Sequence, residues 1–210
     1  MELYLLLISH ITILFPIYVI IKTFYDFRLF ETLIVLFNII FTGISSIIYH
    51  SYSYENINKN NDNYREWAIL DYYFSRVVII TTVMYIMNIR QPYIYIYSQL
   101  ISIFFLISVL FINQEITSYI GIITSLLITI IKYDFLKKLF FFQKKKFIIT
   151  ILFLILSTFF FYYAYNKNYE IFHSLWHFFI NLSAGVACHV KYLYYKDFYN
   201  DYNRASTSSI

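Results

Sequence analysis

At several points this chain runs for about 20 residues without a charged side chain, a length that as a helix crosses the roughly 30 Å hydrocarbon core of a bilayer. That constraint outweighs every other feature of the sequence. Inside a bilayer the backbone must satisfy its own hydrogen bonds, so segments of this kind fold as helices packed on one another. Composition agrees: 60% of the 210 residues are hydrophobic and only 13% are charged, against about 25% charged in an ordinary soluble domain. The expected fold class is therefore all-α, a bundle of seven transmembrane helices in one membrane domain.

The apolar runs place these helices at about residues 3–21, 29–50, 67–89, 93–112, 116–131, 147–165 and 170–191. The membrane domain then covers 1–195, followed by a polar tail, 196–210, expected to be disordered. The first run is not a signal peptide, because Glu2 precedes it, Pro16 interrupts it and no small-residue cleavage site follows. Residues 22–28 form a short basic connection, and 51–66 form a polar loop rich in Asn and Ser. The lysine-rich stretch 132–146 is expected to lie in the headgroup layer as an amphipathic linker. Cys188 is the single cysteine, so no intramolecular disulfide forms.

Seven helices put alternate loops on opposite sides. One side collects Lys22, Arg28, Arg90, Lys132, Lys137, Lys138, Lys144, Lys145, Lys146, Lys191, Lys196 and Arg204, and the other only Lys59, Arg65 and Lys167. The richer side is expected in the cytoplasm, which leaves the amino terminus outside or in an organelle lumen and the tail cytoplasmic. The net charge of +4 thus speaks to orientation, not to nucleic-acid binding.

Ionisable groups inside such segments are costly and need a partner or a function. His173 and His177 stand four apart, so a helix presents both imidazoles on one face. Ser174, not glutamate, follows the first histidine, which separates the pair from the His-Glu-x-x-His metalloproteases. His50 closes the second helix with Ser46 one turn before it, and Asp71 lies about one turn into the third. At 1.5 Å per residue all five groups fall within roughly 10 Å of the same membrane boundary. Three histidines with a free fourth position make the pattern of a catalytic zinc site. Outside that set, His10 reads as a histidine hydrogen-bonded within the bundle, His189 as structural, and Arg76 as an intrabundle ion partner or headgroup contact.

Ser46-x-x-x-His50, Asp71 on the third helix and His173-x-x-x-His177 on the seventh resemble the signature of the CREST superfamily of seven-helix membrane hydrolases. Ile48-Tyr49-His50, Leu70-Asp71 followed by Ser75, and Asn168-Tyr169 leading into His173 are most similar to the branch with the GPI-specific phospholipase A2 (post-GPI attachment to proteins factor 6) and the fusogen myomaker. Two features depart from that branch: residues 51–66 hold no cysteine, and the large extracellular amino-terminal region of its phospholipase is expected to be lacking. The resemblance implies Zn2+ on His50, His173 and His177 with water in the fourth position. It implies Asp71 as the group that orients the water and takes its proton. Ser46 would then donate to developing negative charge instead of attacking, since no separate base accompanies it. The expected activity is hydrolysis of an ester or amide bond in a membrane lipid, of phospholipase A2 or ceramidase type, in the plasma membrane or a secretory-pathway membrane. The alternatives are a non-enzymatic fusion or remodelling protein with a structural zinc and, more distantly, a seven-helix receptor.

Overall fold

The computed structural model describes the backbone of residues 2–55, 62–89, 91, 93–100, 103, 114–166 and 169–207, and the side chains of 4–5, 8–51, 66–89, 91, 93–100, 103, 123–164 and 171–199. Among these residues the chain is almost entirely helical, with no strand. Its elements are α1 (Glu2–Ile11), α2 (Leu14–Phe27), α3 (Phe30–Glu55), α4 (Asp62–Ile86), α5 (93–100), α6 (Gln114–Ile131), α7 (Tyr133–Phe142), α8 (Lys144–Asn166) and α9 (Tyr169–Thr207). Five stretches are long and apolar enough to cross a membrane: Ile8–Phe27, Phe30–Ser51, Glu66–Ile86, Lys144–Ala164 and Ile171–Tyr199. They mark a membrane protein. Of the other two expected spans, α6 is an 18-residue helix, and most of 101–113 falls outside the described residues, as do Lys59, Arg90 and Lys167.

The first span is not one helix. Pro16 has no N–H to give the carbonyl of Thr12, four residues earlier, and its ring crowds that carbonyl. The chain therefore breaks at Thr12–Ile13 and bridges the gap with three-residue bonds, Ile13 N–H to the His10 carbonyl at 3.0 Å and Phe15 N–H to the Thr12 carbonyl at 3.1 Å. Asn181 of α9 steadies the break by donating to Thr12 Oγ1 at 3.2 Å. Two of the chain's three glycines face this segment. Gly43 of α3 lies beside Ile13 and Gly185 of α9 beside Phe15, each so close that a Cβ would press on the neighbouring side chain. Small residues let helices approach in this way inside membranes.

Several boundaries differ from the sequence expectation. Residues 22–27 continue α2, because nothing in them breaks a helix. The stop comes at Arg28, in the left-handed region at φ 54°, whose N–H caps the Phe24 carbonyl at 2.8 Å. Of the expected loop 51–66, residues 51–55 continue α3 and 62–66 belong to α4, while 56–61 lie outside the described residues. The lysine-rich linker is itself a helix, α7. Residues 196–207 of the expected disordered tail are instead the end of α9, since no glycine or proline follows Gly185, and 208–210 lie outside the described residues.

The last helix is the hub, packing against α1, α2, α4, α7 and α8. Away from the histidines, Val19, Ile20, Val35, Ile39, Met84, Tyr85, Tyr95, Cys188, Tyr192 and Tyr195 form the buried core. Polar groups tie its helices: Asn38 donates to Thr81 and accepts from Gln99, both at 3.3 Å, and Tyr192 donates to Asp26 at 2.9 Å. Lys191, expected among the cytoplasmic charges, is instead fully buried, its Nζ 4.1 Å above the Phe135 ring and 4.5 Å above the Tyr195 ring. This cation–π pairing pins α7 to α9. The outer face of α8 exposes Ile151, Leu152, Ile155 and Phe159, as a lipid-facing helix does.

Candidate metal centre

The polar groups singled out in the sequence meet at one end of the bundle. His50 sits near the end of its span on α3, Asp71 near the start of its span on α4, and His173 and His177 in the opening turns of α9. His173 Nε2 lies 3.1 Å from His50 Nε2 and 3.0 Å from His177 Nε2. His50 and His173 are buried. Trp176 packs its ring 4.8 Å from His173 and 4.5 Å from His177, backed by Phe161 of α8 at 5.0 Å, and Tyr49 lies 4.9 Å from His50. These aromatic rings pack around the imidazoles.

Protons alone do not account for this convergence. A neutral imidazole nitrogen carries either one hydrogen or one lone pair, so His173 Nε2 cannot bond well to two other ring nitrogens at once. A cation placed among them satisfies every lone pair. Zinc–nitrogen bonds of 2.0–2.1 Å in a tetrahedron set ligand nitrogens about 3.3–3.4 Å apart. The observed 3.0 and 3.1 Å fit that edge with a small expansion. The residues present therefore suit a divalent metal of zinc's size and taste for nitrogen.

Beside the histidines lie Ser46 and Asp71, both buried. The hydroxyls of Ser46 and Ser75 face the Asp71 carboxyl group, yet its Oδ1 is buried without a hydrogen-bond partner. Such an orphaned oxygen is expensive and is poised for a proton donor that the described residues do not supply. Arg76 is elsewhere, its guanidinium 5.8 Å from the Tyr72 ring. His189 stays out of the cluster, 6.1 Å from the Tyr192 ring.

His10 departs from the expectation. It is hydrogen-bonded inside the bundle, as read, but its partner is Ser46: Nε2 lies 3.0 Å from Ser46 Oγ. Its ring is 4.3 Å from that of His177, and the ligand nitrogens of His10, His50 and His177 all lie within 4.8 Å of one another. The centre thus holds four histidines, and one of them, His10, stands as a base beside Ser46 where none was expected. The signal for His10 was its depth, two residues into the span beginning at Ile8, next to the break that Pro16 imposes. No sequence neighbour reveals a contact made across 36 residues.

No curated protein and no solved structure matches the chain. One family profile does, over residues 1–178, a stretch holding every residue of the centre from His10 to His177. With most of its length matched, the chain belongs to the family described as Protein of unknown function (DUF3522).

Proposed function

We propose that this protein is an integral-membrane hydrolase that uses zinc to cleave an ester or amide bond of a lipid. The observation that carries the reading is the meeting of His50, His173 and His177 at 3.0–3.1 Å with a buried carboxylate, Asp71, whose Oδ1 lacks a partner. When bound, zinc supplies Lewis acidity and makes water a nucleophile near neutral pH. His50, His173 and His177 would hold the ion. Asp71 orients the attacking water through its open oxygen and accepts its proton. Ser46, within reach of both Asp71 and His10, donates to the oxygen of the carbonyl as charge develops there. Trp176, Phe161 and Tyr49 exclude bulk water and present an apolar wall to an acyl chain. The division of lysines and arginines supports a centre on the non-cytoplasmic side, where the top of an outer-leaflet acyl chain would reach it.

The test uses purified full-length protein, loaded with zinc and given phospholipid, lysolipid, ceramide and GPI-type substrates, with released fatty acid as the readout. Asp71→Asn should keep its metal while hydrolysis falls by roughly 10²-fold or more, the usual size of a general-base contribution. No release from any lipid, together with an Asp71→Asn protein fully functional in cells, would favour the second reading. In that reading zinc ties α3 to α9 in a fusion or remodelling protein. The fourth histidine speaks for it, since closed four-ligand zinc sites are structural.

A further inference from the structure

The presence of His10 bears on both readings, because a fourth imidazole and a water compete for one position. Resting on the zinc reading above, we propose that His10 is an exchangeable fourth ligand that closes the centre when it leaves Ser46 and opens it when it returns. Its ring is buried against His177, with centroids 4.3 Å apart, and its ligand nitrogen lies within 4.8 Å of those of His50 and His177. Closing from 4.8 Å to a tetrahedral edge of about 3.4 Å toward His50 and His177 is a movement of about 1.4 Å along those directions, the scale of a side-chain rotation.

Ser46 controls that shift through a single proton. A serine hydroxyl has one hydrogen to give, and two acceptors face it, His10 Nε2 at 3.0 Å and the Asp71 carboxyl group. When Asp71 takes the hydrogen, His10 must carry its own on Nε2 and donate it to Ser46, which blocks that nitrogen as a ligand. When His10 takes it, Nε2 is the bare nitrogen and can turn to a metal with no further proton movement. Passing from the first arrangement to the second is a change of tautomer, one N–H broken at Nε2 and one formed at Nδ1 with water as the carrier. The exchange at the metal then breaks one metal–water bond and makes one metal–imidazole bond. The backbone is built for the motion. His10 is in the last turn of α1, and its carbonyl already bonds to Ile13 across the Thr12–Ile13 break at 3.0 Å. Irregular backbone at membrane depth is tolerated where protein or a cavity lines it, and here Asn181 holds Thr12 at 3.2 Å.

The experiment loads the purified full chain with Co2+ or Zn2+ and reads coordination by visible and X-ray absorption, with affinity from chelator competition. Wild-type protein should show a mixture of four-nitrogen and three-nitrogen-plus-oxygen centres. Ser46→Ala, which removes the latch, should shift the mixture to four nitrogens and suppress the spectral change on adding azide. His10→Ala should give three nitrogens with an exchangeable oxygen and lose affinity by about tenfold or more, the least that loss of even an outer-shell partner costs. His10→Gln, able to keep a Ser46 contact, reports the same loss if the alanine variant fails to fold, and His189→Ala should change nothing. Metal uptake with the same nitrogen count in wild type, Ser46→Ala and the His10 variants overturns the exchange while leaving the zinc reading intact. A wild-type chain that takes up neither ion overturns the zinc reading and this one with it.

Discussion

Replacing Gly185 with alanine should damage the seat of the broken first span. A Cβ at this position would lie 2.8 Å from Cγ and 2.7 Å from Cε1 of Phe15, and closer still to Cδ1. Carbon atoms in contact prefer about 3.5–4.0 Å. Rotating the ring about its own axis does not help, because Cγ lies on that axis and stays in place. Phe15 must change its first torsion or α2 must move off α9 by about 0.7 Å or more, judged from that contact distance. Overpacking of this kind costs about 1–3 kcal/mol, while alanine in place of a mid-helix glycine returns about 1 kcal/mol. With Cγ immobile, the net loss should be about 1–2 kcal/mol at the upper end of that balance. Denaturant titration in detergent micelles measures it, and Phe15→Ala completes a double-mutant cycle. In the Phe15→Ala background the same glycine change should become neutral or stabilising, a coupling of about 1 kcal/mol or more. A Gly185→Ala protein as stable as wild type, with effects that simply add, would show that α2 and α9 do not approach as described.

Three further outcomes are expected. His50→Ala, His173→Ala and His177→Ala should each weaken metal binding about tenfold or more, and the double change at His173 and His177 should abolish stoichiometric metal in elemental analysis; full retention would assign the metal elsewhere. Pro16→Ala should restore a donor to the Thr12 carbonyl and straighten the first span, worth about 3 kcal/mol in local helix propensity. It should nevertheless lower metal affinity by carrying His10 away from Ser46, and unchanged metal affinity would separate the break from the centre. Epitope tags should place the amino terminus outside and the carboxyl terminus in the cytoplasm; both tags on one side of the membrane would rule out an odd number of crossings.

The legible part of this protein was the part written in local spacing. His173 and His177 announce a shared face because four residues make one turn, and Ser46 and His50 do the same. Their common depth follows from counting along each apolar run to Asp71 and His50. The break in the first span was half legible. Pro16 was visible, but whether a proline bends or interrupts a membrane helix depends on what fills the gap, here Asn181 from the far end of the chain. His10 carried no such spacing, and its partner Ser46 lies 36 residues away, so only packing could expose it. Charge misled at residues 22–27 and 196–207. Lysines and aspartates read as loop and tail, yet a helix ends where its backbone is capped or broken, as at Arg28, and not where it leaves the bilayer. Burial of Lys191 was hidden for a related reason: Phe135 and Tyr195 solvate its ammonium in place of water.

The wedging of residues 12–15 between Gly43 and Gly185 has a consequence for biogenesis. Synthesis delivers α1 first and α9 last, so the amino-terminal span enters the membrane long before Asn181 and Gly185 exist to receive its break. During that interval His10 and His50 have no second pair of imidazoles to face. The centre cannot mature span by span; it snaps together as a late docking event, once the final helix slides into the slot that the earlier ones have left. A ribosome-stalled chain ending before Glu170 should therefore carry a protease-sensitive first span and no metal. Extending the same nascent chain past Gly185 should protect that span and fill the site in one step.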